Sequence, residues 1–137
     1  KWGSCIASIL LAVLGGGSLR TSIQTAVAEC GIPLDIRALE SWKEYPDDMV
    51  VGKHFSSACY VDQAVPATIF LALKYSESPE DGLIANTMCG GDNAGRGTVL
   101  GAFLGALHGV SAWPARWRDG LLQPPPTEHL GLSLPGQ

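Results

Sequence analysis

An all-α fold is predicted, and three observations carry the prediction. Apolar residues recur at helical spacing in one segment after another. Helix-start chemistry, meaning Ser, Asp or Pro ahead of an apolar run, precedes several of those segments. Gly97, Gly101, Gly105 and Gly109 recur every fourth residue and so fall on one stripe of a helix. Each of these glycines costs about 0.8–1 kcal/mol of helix propensity relative to alanine, which close packing or a function has to offset. A G-x-x-x-G repeat also marks membrane helix dimers, but that motif needs an apolar span of about 20 residues. The uncharged run between Arg96 and His108 is eleven residues long. A helical core with the glycine helix pressed between neighbours is therefore expected, and a small membrane-associated protein is the lesser reading.

The elements follow in order. The run IASILLAVLGGGS could be mistaken for a signal peptide, but a buried helix ending at Gly15-Gly16-Gly17 fits better, because only Lys1 supplies a positive end. From Thr21 to Cys30, Ile23, Ala26, Val27 and Cys30 keep helical spacing, and Gly31 stops the segment. Pro33 restarts a helix through Leu34, Ile36, Leu39 and Trp42. The charged KEYPDD reads as a solvent-exposed loop, with no metal role for Asp47 or Asp48. Asp62 is expected to cap the next helix, with Pro66 in its first turn. Ser78 caps another, with Pro79 at the first helical position and Asp81 completing a capping box. That helix ends at Cys89-Gly90, and Asp92 stands at the N-cap of the glycine helix, whose N-terminus favours anions. A short helix through Trp117 and Leu121 closes the domain. Trp113 and Trp117 either cover the glycine helix or form a stacking wall, core packing being preferred. Residues 122–137, rich in proline, read as a disordered tail.

Composition narrows the function. With 16% charged residues, 46% apolar residues and 17 glycines, much of the chain is expected to be covered. A net charge of −4 offers no basic stripe for nucleic acid. Cys5, Cys30, Cys59 and Cys89 contain no C-x-x-C pair and read as buried, reduced thiols of a cytoplasmic protein, with a disulfide left open. His54, His108 and His129 show no ligand spacing, and no G-x-S-x-G elbow is present.

The pieces ACYVDQAVPATIFLALKY, SPEDGLIANTMCGGDNAGRG and VLGAFLGALHGVSAWPARWRDGL, in that order and spacing, resemble the C-terminal part of the ADP-ribosylglycohydrolase family. The resemblance covers about residues 50–121, is weak over 1–49 and does not reach 122–137. It implies a compact, all-α hydrolase domain that opens the glycosidic bond of ADP-ribosylated substrates with a pair of magnesium ions. Magnesium asks for six oxygen ligands in near-octahedral order. In the family, an N-terminal half supplies a glutamate and a Thr-Asp-Asp cluster, and a C-terminal G-G-D-x-D-T completes the cage. Carried over, Asp92 matches the first aspartate and becomes the metal ligand, with Gly91 and Asn93 as substrate-binding residues. Ala94 and Gly95 stand where the second aspartate and the threonine should be, and neither offers a side-chain oxygen. A branch reading G-G-D-N-C-H-R-G agrees at Asn93, Arg96 and Gly97, although its Cys-His pair is missing here. Arg96 is expected at the surface or in an ion pair. No Thr-Asp-Asp run occurs anywhere in the chain.

The chain starts with Lys1, so the expectation is a C-terminal, partial domain. Its partner would be the missing N-terminal half, and alone it would be inactive and either poorly folded or self-associating. The function expected is that of a fragment of an ADP-ribosylglycohydrolase-like hydrolase using magnesium. The alternative is a non-catalytic relative acting as a binding or structural scaffold. Neither nucleic acid nor membrane is an expected partner.

Overall fold

The computed structural model describes residues 1–121, and the proline-rich segment 122–137, with His129, lies outside the described residues. Among the described residues there are helices and no strands, as the apolar spacing predicts. The helices are α1 (Trp2–Leu14), α2 (Leu19–Glu29), α3 (Ile36–Ser41), a single turn α4 (Asp47–Met49), α5 (Val61–Lys74), α6 (Pro79–Met88), α7 (Asn93–His108) and α8 (Ala115–Asp119). A π-helical stretch, Val50–His54, continues α4, and a 3-10 turn, Val110–Ala112, separates α7 from α8. None of these helices is long and apolar enough to cross a membrane.

Helix α5 sits at the centre. Every residue from Val65 to Leu73 is buried, the pattern of a helix surrounded on all sides. Helix α7 packs along α5, α6 and α1, and α1 pairs with α2. Their shared core includes Ile9, Ile23, Leu39, Ile69, Phe70, Leu100, Phe103 and Leu104. Helix α1 buries only one stripe, Cys5, Ile9 and Val13, and leaves Leu11 and Leu14 in solvent. The buried helix expected there is half-buried.

The helix starts show where local chemistry was sufficient. Ser18 accepts from the Thr21 N–H, and Asp35 accepts from the Arg37 N–H at 2.9 Å. Helix α3 therefore begins at Ile36, after Asp35 rather than at Pro33. Pro79 takes the first helical position of α6, while Ser78, its N-cap, makes no side-chain capping bond. Asp62 is inside α5 rather than its cap; Tyr60 is the N-cap, and Pro66 falls beyond the first turn. The KEYPDD segment is not a free loop, because the half-buried Asp47 accepts from Lys74 Nζ at 2.8 Å and from the Tyr75 hydroxyl at 2.6 Å. That pair of bonds fastens α4 to the end of α5.

Glycine use on α7 also differs from the stripe prediction. A Cβ at Gly101 would meet nothing within 4 Å, and at Gly105 it would rest 3.6 Å from the Trp113 indole nitrogen. Of the four stripe glycines only Gly97 is tight, 3.2 Å from the Asn86 side-chain amide. The close helix approach is instead provided by Gly82 on α6, where a Cβ would stand 2.9 Å from the Tyr75 Cβ and 3.2 Å from Leu104. Gly109 ends α7 with φ 77°.

Candidate functional site

The turn between α6 and α7 is built by two consecutive glycines with positive φ, Gly90 at 66° and Gly91 at 60°. Such angles are sterically open to glycine and rare for other residues. At Gly91 the requirement is doubled, since a Cβ would lie 2.1 Å from the Ser57 carbonyl oxygen. The turn is pressed onto the 56–59 loop, and the Asp92 N–H donates to the same Ser57 carbonyl at 2.8 Å. The direction a side chain would take is thus filled by the loop, while Gly91 itself remains exposed. Its carbonyl already accepts from the Asn93 N–H at 2.8 Å and from the Asn93 side-chain amide at 3.3 Å.

Asp92 is the N-cap of α7, its Oδ1 accepting from the Gly95 N–H at 3.1 Å. Gly95 crowds this carboxylate, since a Cβ there would come within 2.5 Å of Oδ2. Asp92 is half-buried, and its Oδ2 has no hydrogen-bond donor among the described residues. The N–H groups of Asn93, Gly95 and Arg96 are all bonded, which leaves that of Ala94 to meet an anion at the helix N-terminus.

Arg96 overturns its sequence expectation. It is neither at the surface nor ion-paired: it is 1% exposed and the largest fully buried side chain of the described residues. Its Nε donates to Asn86 Oδ1 at 3.0 Å, one terminal nitrogen donates to the Ser57 carbonyl and the other to the Gly90 carbonyl. Burial pushes the guanidinium below its usual value, opposed by the neighbouring Cys89 thiol and the Asp92 carboxylate. Asn86 is likewise buried, and its amide donates to the Asn93 carbonyl at 2.8 Å. Arg96 and Asn86 thus clamp both sides of the Gly-Gly-Asp turn. Sequence reading missed Asn86, although its ten-residue spacing from Arg96 could connect the two across the turn.

Beside the clamp a groove of about 590 Å³ opens between α6 and α7, with Asn86, Asn93, Gly97 and Trp117 among its lining residues. No charged side chain lines it. Trp113 stacks against Trp117 with centroids 6.3 Å apart. The two alternatives for the tryptophans divide between them: Trp113 covers Gly105, and Trp117 walls the groove.

The donor set does not make a magnesium site by itself. Asp92 contributes one uncommitted carboxylate oxygen, positions 94 and 95 contribute none, and the described residues hold no group of three His, Cys, Asp or Glu side chains able to share an ion. His108 bonds the Ser76 carbonyl, and His54 stacks on Trp42 at 4.4 Å, so neither is arranged as a ligand. The four cysteines are free, and Cys59 is exposed rather than buried.

A family model described as ADP-ribosylglycohydrolase matches residues 2–134, past residue 121 where the motif resemblance stops. No curated protein and no solved structure matches the chain.

Proposed function

The chain belongs to the ADP-ribosylglycohydrolase family, and from that premise we propose that it acts on ADP-ribosylated substrates by hydrolysing the glycosidic bond to the ADP-ribosyl group. The Asp92 turn is its contribution to the site. The observation that carries this reading is the fixed carboxylate: Oδ1 is tied to the Gly95 N–H, while Oδ2 stays available on a turn clamped by buried Arg96. Such an oxygen can accept a ribose hydroxyl or orient a water. The Ala94 N–H at the positive end of α7 favours a phosphate or ribose oxygen. Magnesium, which the family resemblance implies, would receive one ligand from Asp92, and its remaining oxygens must come from outside this donor set.

One observation favours a second reading. With Ala94 and Gly95 in place of oxygen-bearing residues, and with Asn86 and Arg96 fully engaged in holding the turn, the site can bind without catalysing. Hydrolysis of an ADP-ribosylated peptide, assayed with and without magnesium, separates the two. Asp92→Asn keeps the helix cap, since asparagine caps as well as aspartate, while removing the carboxylate. A drop of about tenfold or more in that variant, with unchanged melting temperature, supports the hydrolase. No turnover by the folded protein, together with calorimetric binding of ADP-ribose, moves the assignment to the binding scaffold. Neither turnover nor binding removes both readings.

A further inference from the structure

Cys5 and Cys30 stand opposite one another in the α1–α2 hairpin. Four residues, 15–18, link the two helices, so they run antiparallel. At about 1.5 Å per helical residue, both cysteines lie about 15 Å from that turn, at the same level of the hairpin. Cys5 is fully buried on the inner stripe of α1, and Cys30 is the half-buried C-cap of α2. Cys5 belongs to the core and Cys30 packs against that core, near enough to raise the Cys5 thiol. Cys30 is therefore the partly exposed member of the pair, and Cys5 the buried one.

We propose that Cys5 and Cys30 are a redox-sensitive pair that closes to a disulfide by exchange with a low-molecular-weight disulfide. In the first step the Cys30 thiolate attacks one sulfur of the reagent, breaks its S–S bond and expels one thiolate. In the second, the Cys5 thiolate attacks Sγ of Cys30 in the mixed disulfide and expels the other. The protein loses two protons and two electrons, and the reagent is reduced to two thiols. Burial, reinforced by Cys30, pushes the Cys5 thiol up to about 11. The second step is therefore the slower one at neutral pH and accelerates as pH rises.

The test uses the full chain carrying Cys59→Ser and Cys89→Ser, incubated with oxidised glutathione, then unfolded, alkylated and weighed. Loss of two hydrogens with no alkylation is expected, together with a rise in melting temperature that a dithiol reductant abolishes. Trypsin cuts after Arg20 and Arg37, so Cys5 and Cys30 fall in different peptides and a covalent link between them is read directly. A glutathione adduct that persists on Cys30, or two alkylated thiols, overturns the proposal. Should the double variant fold poorly, the unaltered chain is mapped in the same way, where a link through Cys59 or Cys89, or no link, overturns it equally.

Discussion

Replacing Arg96 by methionine keeps the stem and deletes the three guanidinium bonds of the clamp on the Gly-Gly-Asp turn. The Gly90 carbonyl and the Asn86 side-chain oxygen are then left without their donor, while the Ser57 carbonyl keeps only the Asp92 N–H. Each orphan costs about 1–3 kcal/mol, so a loss of roughly 2 kcal/mol or more in urea denaturation is expected. Lysine rescues little of this, because one ammonium cannot match a planar fork aimed at three acceptors. A loss below about 1 kcal/mol would show that the turn holds without the clamp. Gly91→Ala is expected to destabilise as well, by about 2 kcal/mol or more, since alanine meets both the positive φ and the Ser57 carbonyl. Asp92 was legible as a cap because its bond runs three residues along the chain. Arg96 was not, for two reasons: arginine is almost always outside, and its Ser57 acceptor is 39 residues away.

Two glycines on neighbouring helices should respond in opposite directions to one added methyl group. Gly101 lies in the interior of α7 with nothing within 4 Å of a new Cβ, so Gly101→Ala is expected to stabilise by about 0.5–1 kcal/mol through backbone entropy and helix propensity. Gly82 lies where α6 crosses Tyr75 and Leu104, with a Cβ only 2.9 Å from the Tyr75 Cβ; alanine there must push helices apart and is expected to cost about 1–3 kcal/mol. Thermal melts of the two variants decide the matter, and equal shifts would mean that the packing around Gly82 is slack. Existence and order of the helices could be read from the chain, because spacing and caps are local signals. Which glycine lets two helices meet could not, because periodicity marks a stripe and says nothing about what lies across it. Pro66 was placed two residues too near the start of its helix, because Asp62 has the chemistry of a cap while α5 begins at Val61 with Tyr60 as its N-cap.

The whole molecule gathers three weak acids in its interior or at its edge, and all three hold their protons longer than in an unfolded chain. Burial raises Cys5 from 9.0 to about 11, with Cys30 adding to the effect. Burial first, then the Asp47 carboxylate, raises Tyr75 and Cys89 as well. An unfolded chain releases these protons at lower pH than the fold does, so the folded state is increasingly disfavoured once that release begins. Stability contributed by the protonated thiol is fully present below 9.0 and is lost as pH rises through about 11, the raised value of Cys5. For Cys5 alone this is on the order of 2 kcal/mol. Urea denaturation of the reduced protein across this range should show a falling midpoint, and Cys5→Ala, although weaker at neutral pH, should show a shallower fall. A flat profile in the unaltered protein would mean that these groups ionise in the fold as readily as in solution. Oxidation supplies an independent handle, since a disulfide to Cys30 removes the raised Cys5 thiol altogether. The alkaline limb of the oxidised protein should then keep only the part due to Tyr75 and Cys89.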